Sequence, residues 1–215
     1  MKGDTAIRKF DFYEFVGVLA PGTLLLFGIG VLFPAQERLK PFLLPTDFGS
    51  ATVYVILAYA VGHLVQAIGN LLEWPYWGIQ KGMPTDWPFT KASAAFPASY
   101  KDHVSSVLGQ SEFADVADWR RAVSAGRSLI SADGFAGRLQ TFNGNYGLFR
   151  GMAASAIVLL VAAVIEGSHG ITTYVVIGVV TVLSTYRMHR FATHYGREFF
   201  SSMRAWKAKN PGKRE

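Results

Sequence analysis

Tyr59, His63, Gln66, Asn70 and Glu73 recur at spacings of 4, 3, 4 and 3, which on a helix places all five side chains on one face. Such a stripe can close a hydrogen-bond network between helices, or it can line a water-filled path with His63 near its middle. A second set, Arg187, Arg190, His194, Arg197 and Arg204, recurs at 3, 4, 3 and 7, opposite Met188, Phe191, Ala192, Tyr195, Phe199 and Trp206. Its guanidinium groups suit lipid phosphates on an interfacial helix, or an anionic cytosolic ligand such as a nucleotide or nucleic acid. Asp11 and Glu14 stand one turn apart and suit a cation, a basic tail or a helix N-terminus. No phosphate-binding loop, dinucleotide fingerprint, zinc-protease helix or nucleophile elbow occurs in the chain, so no catalytic residue and no cofactor is expected. With no cysteine there are neither disulfides nor thiolate metal ligands, and His189 and His194, five residues apart, diverge on a helix; no metal site is expected.

Both sets must be carried by long helices. Four apolar stretches, at about residues 15 to 36, 48 to 72, 148 to 165 and 171 to 186, approach or exceed the ~20 residues that cross a bilayer core of ~30 Å. The third and fourth are short unless Arg150 and Arg187 snorkel to the headgroups, with Glu166-Gly167-Ser168-His169-Gly170 as a tight turn between them. The expected fold is therefore all-α: an integral membrane protein of four transmembrane helices, with a helical insert between spans two and three. Lys2, Arg8 and Lys9, the many basic residues of the insert, and those from Arg187 onward lie on one side, whereas the other side holds only Arg38 and Lys40. That asymmetry places both termini and the insert in the cytoplasm. Phe10, Phe12, Tyr13, Phe15, Trp74, Tyr76, Trp77 and Tyr186 supply interfacial aromatics. A signal peptide is the rival reading of the N-terminus, but no small-x-small site follows Phe33 and Pro21-Gly22 interrupts the run. The net charge of +6 and pI near 9.6 follow from positive-inside loops and leave an anionic partner open.

Four parts are expected: an N-terminal transmembrane hairpin over 1–72, a cytosolic helical insert over 73–139, a second hairpin over 140–186, and a basic amphipathic helix with its tail over 187–215. The insert opens with Pro75, Pro84, Pro88 and Pro97 among aromatics and reads as an irregular loop through residue 100. Ser111 and Glu112 mark a helix start, followed by Phe113, Val116, Ala117 and Val123 at helical spacing up to Gly126. Span three is expected to start as a helix near Gly134, before the membrane. Along it Gly137, Gly144 and Gly151 fall seven apart, and Gly147, Gly151 and Ser155 form a small-xxx-small run. Gly144, Gly147, Gly151 and Ser155 thus make a smooth face for a neighbouring backbone, either a second subunit or another helix of this chain. Gly17, Pro21 and Gly22 predict a kink in span one that can serve as a hinge.

Asp11-Phe12-Tyr13-Glu14-Phe15, Pro21-Gly22, Gly62-His63-Leu64-Val65-Gln66 and Arg190-Phe191-Ala192-Thr193-His194-Tyr195 together resemble, in layout, small multi-pass bacterial inner-membrane proteins. Some of these are anti-phage defence effectors. The resemblance implies an effector that opens or disrupts the inner membrane when a cytosolic signal arrives; with the polar stripe, the glycine face and the lack of catalytic motifs, the expected protein is an oligomeric, non-enzymatic effector or channel of the bacterial inner membrane. A homo-oligomer in the lipid bilayer would carry His63, Gln66 and Asn70 along its pore. The alternative is a non-conducting membrane scaffold or accessory subunit that recruits a cytosolic protein partner.

Overall fold

The computed structural model describes residues 12–33, 40–108 and 112–210. These form helices α1 (Phe12–Leu32), α2 (Lys40–Leu43), α3 (Phe48–Ile79), α4 (Trp87–Thr90), α5 (Ser99–Leu108), α6 (Val116–Ala132), α7 (Gly137–Glu166) and α8 (Ile171–Lys209), with no strand among the described residues. Four of them, α1, α3, α7 and α8, are long and apolar enough to cross a membrane. Asp11, Arg38, Ser111, the N-terminal basic residues and the Lys213-Arg214 tail lie outside the described residues, as do the side chains of Phe12, Tyr13 and Glu14.

The helices divide into two compact units. The first comprises residues up to Gly69 together with Gly147–Tyr186; the second comprises Asn70–Tyr146 with the residues from Arg187 onward. Consequently α3, α7 and α8 each contribute to both units.

In the first unit α1 and α3 meet backbone to backbone. A Cβ on Gly22 would overlap the Ala58 carbonyl and stand 2.7 Å from the Gly62 nitrogen, and one on Gly62 would overlap the Val18 carbonyl. Only glycine permits this approach. Leu26, Leu43 and Ala58 are buried beside it, with Leu19, Ile29, Tyr54 and Val61 packed around them. Tyr54 donates to the Thr23 carbonyl at 3.0 Å and Tyr174 to that of Ala163 at 3.1 Å, so these hydroxyls are satisfied within the bundle. Outward positions carry apolar side chains instead, among them Ile56, Leu64, Val164 and Val182, as a hydrocarbon solvent requires. The turn between α7 and α8 forms as expected, with Gly167 at φ +69° and Glu166 paired to His169 at 3.0 Å.

The second unit adjusts three expectations. The Pro-rich stretch is turns and irregular chain over 80–98, as expected, apart from the one-turn α4, in whose first turn Pro88 needs no intrahelical N–H; its ends are taken by α3, which runs past Pro75 to Ile79, and by α5, which starts at Ser99. Helix α6 starts at Val116 and not at Glu112. Asp115 is its cap, extended at φ −152° and accepting from the Asp118 N–H at 2.7 Å, while Asp118 takes the Ala114 N–H at 3.2 Å; this reciprocal pair outcompetes the earlier start signal. The third long helix begins at Gly137, after Gly134 turns the chain at φ +78°.

The unit's centre is aromatic. Phe96, Trp119, Phe199, Phe200 and Met203 are fully buried, and Phe199 and Met203 fill the space that a Cβ on Gly126 would need. Each buried tryptophan donates its indole N–H: Trp77 to the Tyr146 hydroxyl at 2.9 Å, Trp87 to the Gly82 carbonyl at 2.9 Å, Trp119 to the Thr85 carbonyl at 2.9 Å and Trp206 to Asp133 at 2.6 Å. These bonds fix how each ring enters the core.

The contrast between glycines is testable. Gly62→Leu should destabilise the protein in detergent by about 1–3 kcal/mol or more, because the overlap is with backbone. Gly78→Ala should leave stability unchanged or raise it by about 0.5–1 kcal/mol, since nothing lies within 4 Å of a Cβ there. Thermal unfolding followed by circular dichroism separates the two.

Candidate functional site

Pro21 lies inside α1 and has no N–H, so the carbonyl four residues back, that of Gly17, lacks its intrahelical donor. Gln66 supplies it: its Nε2 donates to the Gly17 carbonyl at 2.7 Å and to the Gly147 carbonyl at 2.9 Å. Its Oε1 accepts from Arg150 Nε at 3.2 Å and Nη2 at 2.7 Å. Both donors and both lone pairs of the amide are therefore used, and α1, α3 and α7 are joined at one side chain. Arg150 does not simply snorkel, as expected from its position in the sequence. It runs along Gly69, whose missing side chain leaves room for it (3.1 Å from a Cβ there to Arg150 Cγ), and ends on Gln66.

The five-residue stripe is accordingly divided. Gln66, read from the sequence either as pore lining or as part of an interhelical network, is an interhelical tie. Tyr59 and His63 are exposed and stack edge to face at 4.7 Å, with Phe15 on Tyr59 at 5.7 Å. Asn70 and Glu73 belong to the second unit, where Glu73 accepts the Tyr146 hydroxyl, itself the acceptor for Trp77.

The glycine face is divided too. Ser155 is fully buried and donates to the Pro21 carbonyl at 2.8 Å, and a Cβ on Gly151 would stand 2.6 Å from Pro21 Cγ and 2.7 Å from Gln66 Nε2. These two residues are covered within the chain, which removes them from the expected oligomer interface. Gly147 has open space where a Cβ would be, and Gly144 falls in the second unit. Gly17, Pro21 and Gly22, the expected hinge, are buried at these tightest contacts. The partner they meet, the Ala58 and Gly62 pair on α3, went unread; its small-xxx-small spacing was the signal that marks it.

The second unit holds an open cavity of about 590 Å³ lined by α3 and α6 and by the chain between them, including Asn70, Glu73, Trp74, Asp86, Arg120 and Arg127. Helix α3 ends beside it because Lys81 and Gly82 turn left-handed, at φ 59° and 100°, and the Gly82 N–H bonds back to the Trp77 carbonyl at 2.8 Å. That turn delivers Asp86, whose side chain is 4% exposed, to Arg120. Both Arg120 Nε and Nη2 donate to Asp86 Oδ2, at 3.0 and 2.7 Å. The hydrogen bond to Asp86 raises the Arg120 pKa further above its usual value. Arg127, two turns along α6, lies 5.5 Å over the Tyr195 ring. Trp74 is 85% exposed at the cavity. No sequence signal brought Asp86 to Arg120, since neither motif nor spacing links positions so far apart. Among the described residues no group of three His, Asp or Glu is placed to hold a metal ion.

On α8 the apolar side is occupied. Met188, Ala192, Phe199, Met203 and Trp206 are buried in the second unit, which rules out an interfacial helix laying that side on lipid. Arg187, Arg190, Arg197 and Arg204 are exposed on the other side. Arg204 contacts His103 at 3.2 Å, Arg190 contacts His194 at 3.4 Å, and His194 stacks on Phe142 at 5.7 Å.

Gln66→Leu should cost about 1–3 kcal/mol, because it strips partners from the Gly17 carbonyl and from Arg150 at once. His63→Leu on the same helix should leave the melting temperature nearly unchanged. Arg120→Ala should destabilise the second unit by about 1–3 kcal/mol through the stranded Asp86 carboxylate, a figure held down by the solvent access of Arg120; tryptophan fluorescence during thermal unfolding reads this. Comparison with protein-family models, with curated proteins and with solved structures yields no match to this chain.

Proposed function

We propose that this is a multi-pass protein of the bacterial inner membrane, with both termini and the second unit in the cytoplasm. It acts as a non-conducting scaffold or accessory subunit that recruits an anionic cytosolic partner. The observation that carries this reading is the state of α8: its apolar side is consumed by the core of a folded unit, so Arg187, Arg190, Arg197 and Arg204 stand as a fixed, outward row. A basic row on a rigid surface favours an acidic protein or a nucleic acid through complementary charge. The full use of the Gln66 amide supports the non-conducting part, because a side chain with no hydrogen-bonding capacity left is a poor pore wall.

A second reading, the permeability-changing effector in antiviral defence, is favoured by a different observation. Tyr59 and His63 are exposed on an otherwise apolar stretch of α3, and polar groups facing hydrocarbon are costly; a second copy covering them would make a homo-oligomer with His63 along its axis.

Liposomes containing the purified protein separate the two. Under the scaffold reading the wild type releases no ions or dye, and Arg190→Glu/Arg197→Glu/Arg204→Glu lowers partner capture from the cytosol at least about tenfold, the scale of lost charge pairing. Flux through the wild type that His63→Leu abolishes would replace that reading with the effector. Orientation is checked independently, since the cysteine-free chain permits single labels. Ser168→Cys should react with an impermeant maleimide on intact cells, and Ser124→Cys only after permeabilisation.

A further inference from the structure

The cavity of the second unit has no role in the reading above, and its walls are chemically asymmetric. One wall is cationic: Arg120 and Arg127 are seven residues apart on α6 and both line the space. Asp86 offsets the charge of Arg120, which holds it at 2.7 Å, so Arg127 supplies the net positive charge of this wall, while the Arg120 side chain, 60% exposed, still presents guanidinium N–H groups to the space. The other wall, from α3, carries the Glu73 carboxylate, the Asn70 amide and the exposed Trp74 indole. A volume of about 590 Å³ suits a small polar group with apolar attachments.

Position supplies the next constraint. The α3 residues that line the cavity follow immediately on Leu71 and Leu72, the end of the apolar stretch of that helix. In a spanning α3 they fall at headgroup depth, where an exposed tryptophan is at home. A ligand for this cavity therefore has an anion for two guanidinium groups and a cation for one carboxylate, and it is met at the membrane surface. We propose that the cavity is a binding site for a zwitterionic phospholipid headgroup bearing a primary ammonium: Arg120 and Arg127 take the phosphodiester, Glu73 takes the ammonium and Trp74 covers the glycerol region. A planar guanidinium fork matches phosphate oxygens. A quaternary ammonium has no N–H to give Glu73, and an uncharged polyol headgroup has no cation at all, so phosphatidylethanolamine is selected over phosphatidylcholine and phosphatidylglycerol. The same phosphate-plus-ammonium chemistry exists in water-soluble glycerophosphoethanolamine, which lacks the acyl chains.

The test uses full-length, delipidated protein in detergent, titrated separately with short-chain phosphatidylethanolamine, phosphatidylcholine, phosphatidylglycerol and glycerophosphoethanolamine. Thermal stability is the readout, with Trp74 fluorescence as a second. Phosphatidylethanolamine should bind about tenfold more tightly than the other two lipids, the scale of one charge-assisted hydrogen bond. Glu73→Gln keeps an acceptor for Tyr146 and should erase that preference while preserving binding. Arg127→Ala should weaken all three lipids, with Arg127→Lys partly restoring them. Gly78→Phe plugs the cavity from a position with open space around its Cβ, so it should fold normally and lose the selective response. Equal binding of the three lipids, or a preference that survives Gly78→Phe and Glu73→Gln, overturns the proposal. Glycerophosphoethanolamine matching the lipid at equal concentration overturns the membrane source and makes this a site for a soluble metabolite.

Discussion

The arrangement of the first unit depends on one missing hydrogen. Pro21 cannot donate to Gly17, and in a membrane no water is at hand to repair the vacancy. The nearest remedy is a side-chain amide from another helix, and an amide that donates twice will seek a second carbonyl as well. Gln66 takes those of Gly17 and Gly147, which determines the relative rotation of α1, α3 and α7. The glycines follow from the same contact. Gly22 and Gly62 let the backbones come close enough for the amide to reach, Gly151 accommodates the Pro21 ring, and Gly69 leaves a channel for Arg150. A proline expected to loosen span one thus creates the demand that ties three helices together.

The second unit solves a different problem, since it builds a core of its own from residues outside the long apolar runs. It assembles that core from aromatic rings spread over sequence-distant elements and pins the buried indoles by hydrogen bonds to the chain around them. Burying large rings with their N–H groups satisfied yields more apolar contact per residue than aliphatic side chains do. A region rich in proline joins this core: Pro84 and Pro88 are fully buried, and Pro84 and Phe96 both close on position 196, where only glycine leaves them room.

Charge in this protein is sorted by use. Arg150 and Arg120 are each committed to one internal partner, Gln66 and Asp86, and stabilise the units that contain them. The arginines of α8 remain on the outside, and Arg127 lines a cavity. Counting basic residues merges these roles, although Arg150 serves its own unit while the α8 arginines, Arg127 and the cavity-lining Arg120 offer a surface to another molecule.

Hydropathy alone was enough to determine the class and the long elements, four helices able to span and the turn between α7 and α8, because the cost of unpaired backbone in lipid leaves long apolar runs few alternatives; the short helices α2, α4 and α5 and the start of α6 lay beyond it. Periodicity correctly put Tyr59, His63 and Gln66 on one face, and Met188, Ala192, Phe199 and Trp206 on another. It could not tell what those faces meet, because a helical wheel is blind to partners. That Gln66 serves a carbonyl orphaned by Pro21, that Ser155 and Gly151 are spent inside the chain, and that Asp86 finds Arg120 were decided by tertiary packing. Each is a contact between residues far apart in sequence, where the deciding quantity is an unsatisfied hydrogen-bonding group or a missing Cβ, and neither leaves a periodic trace.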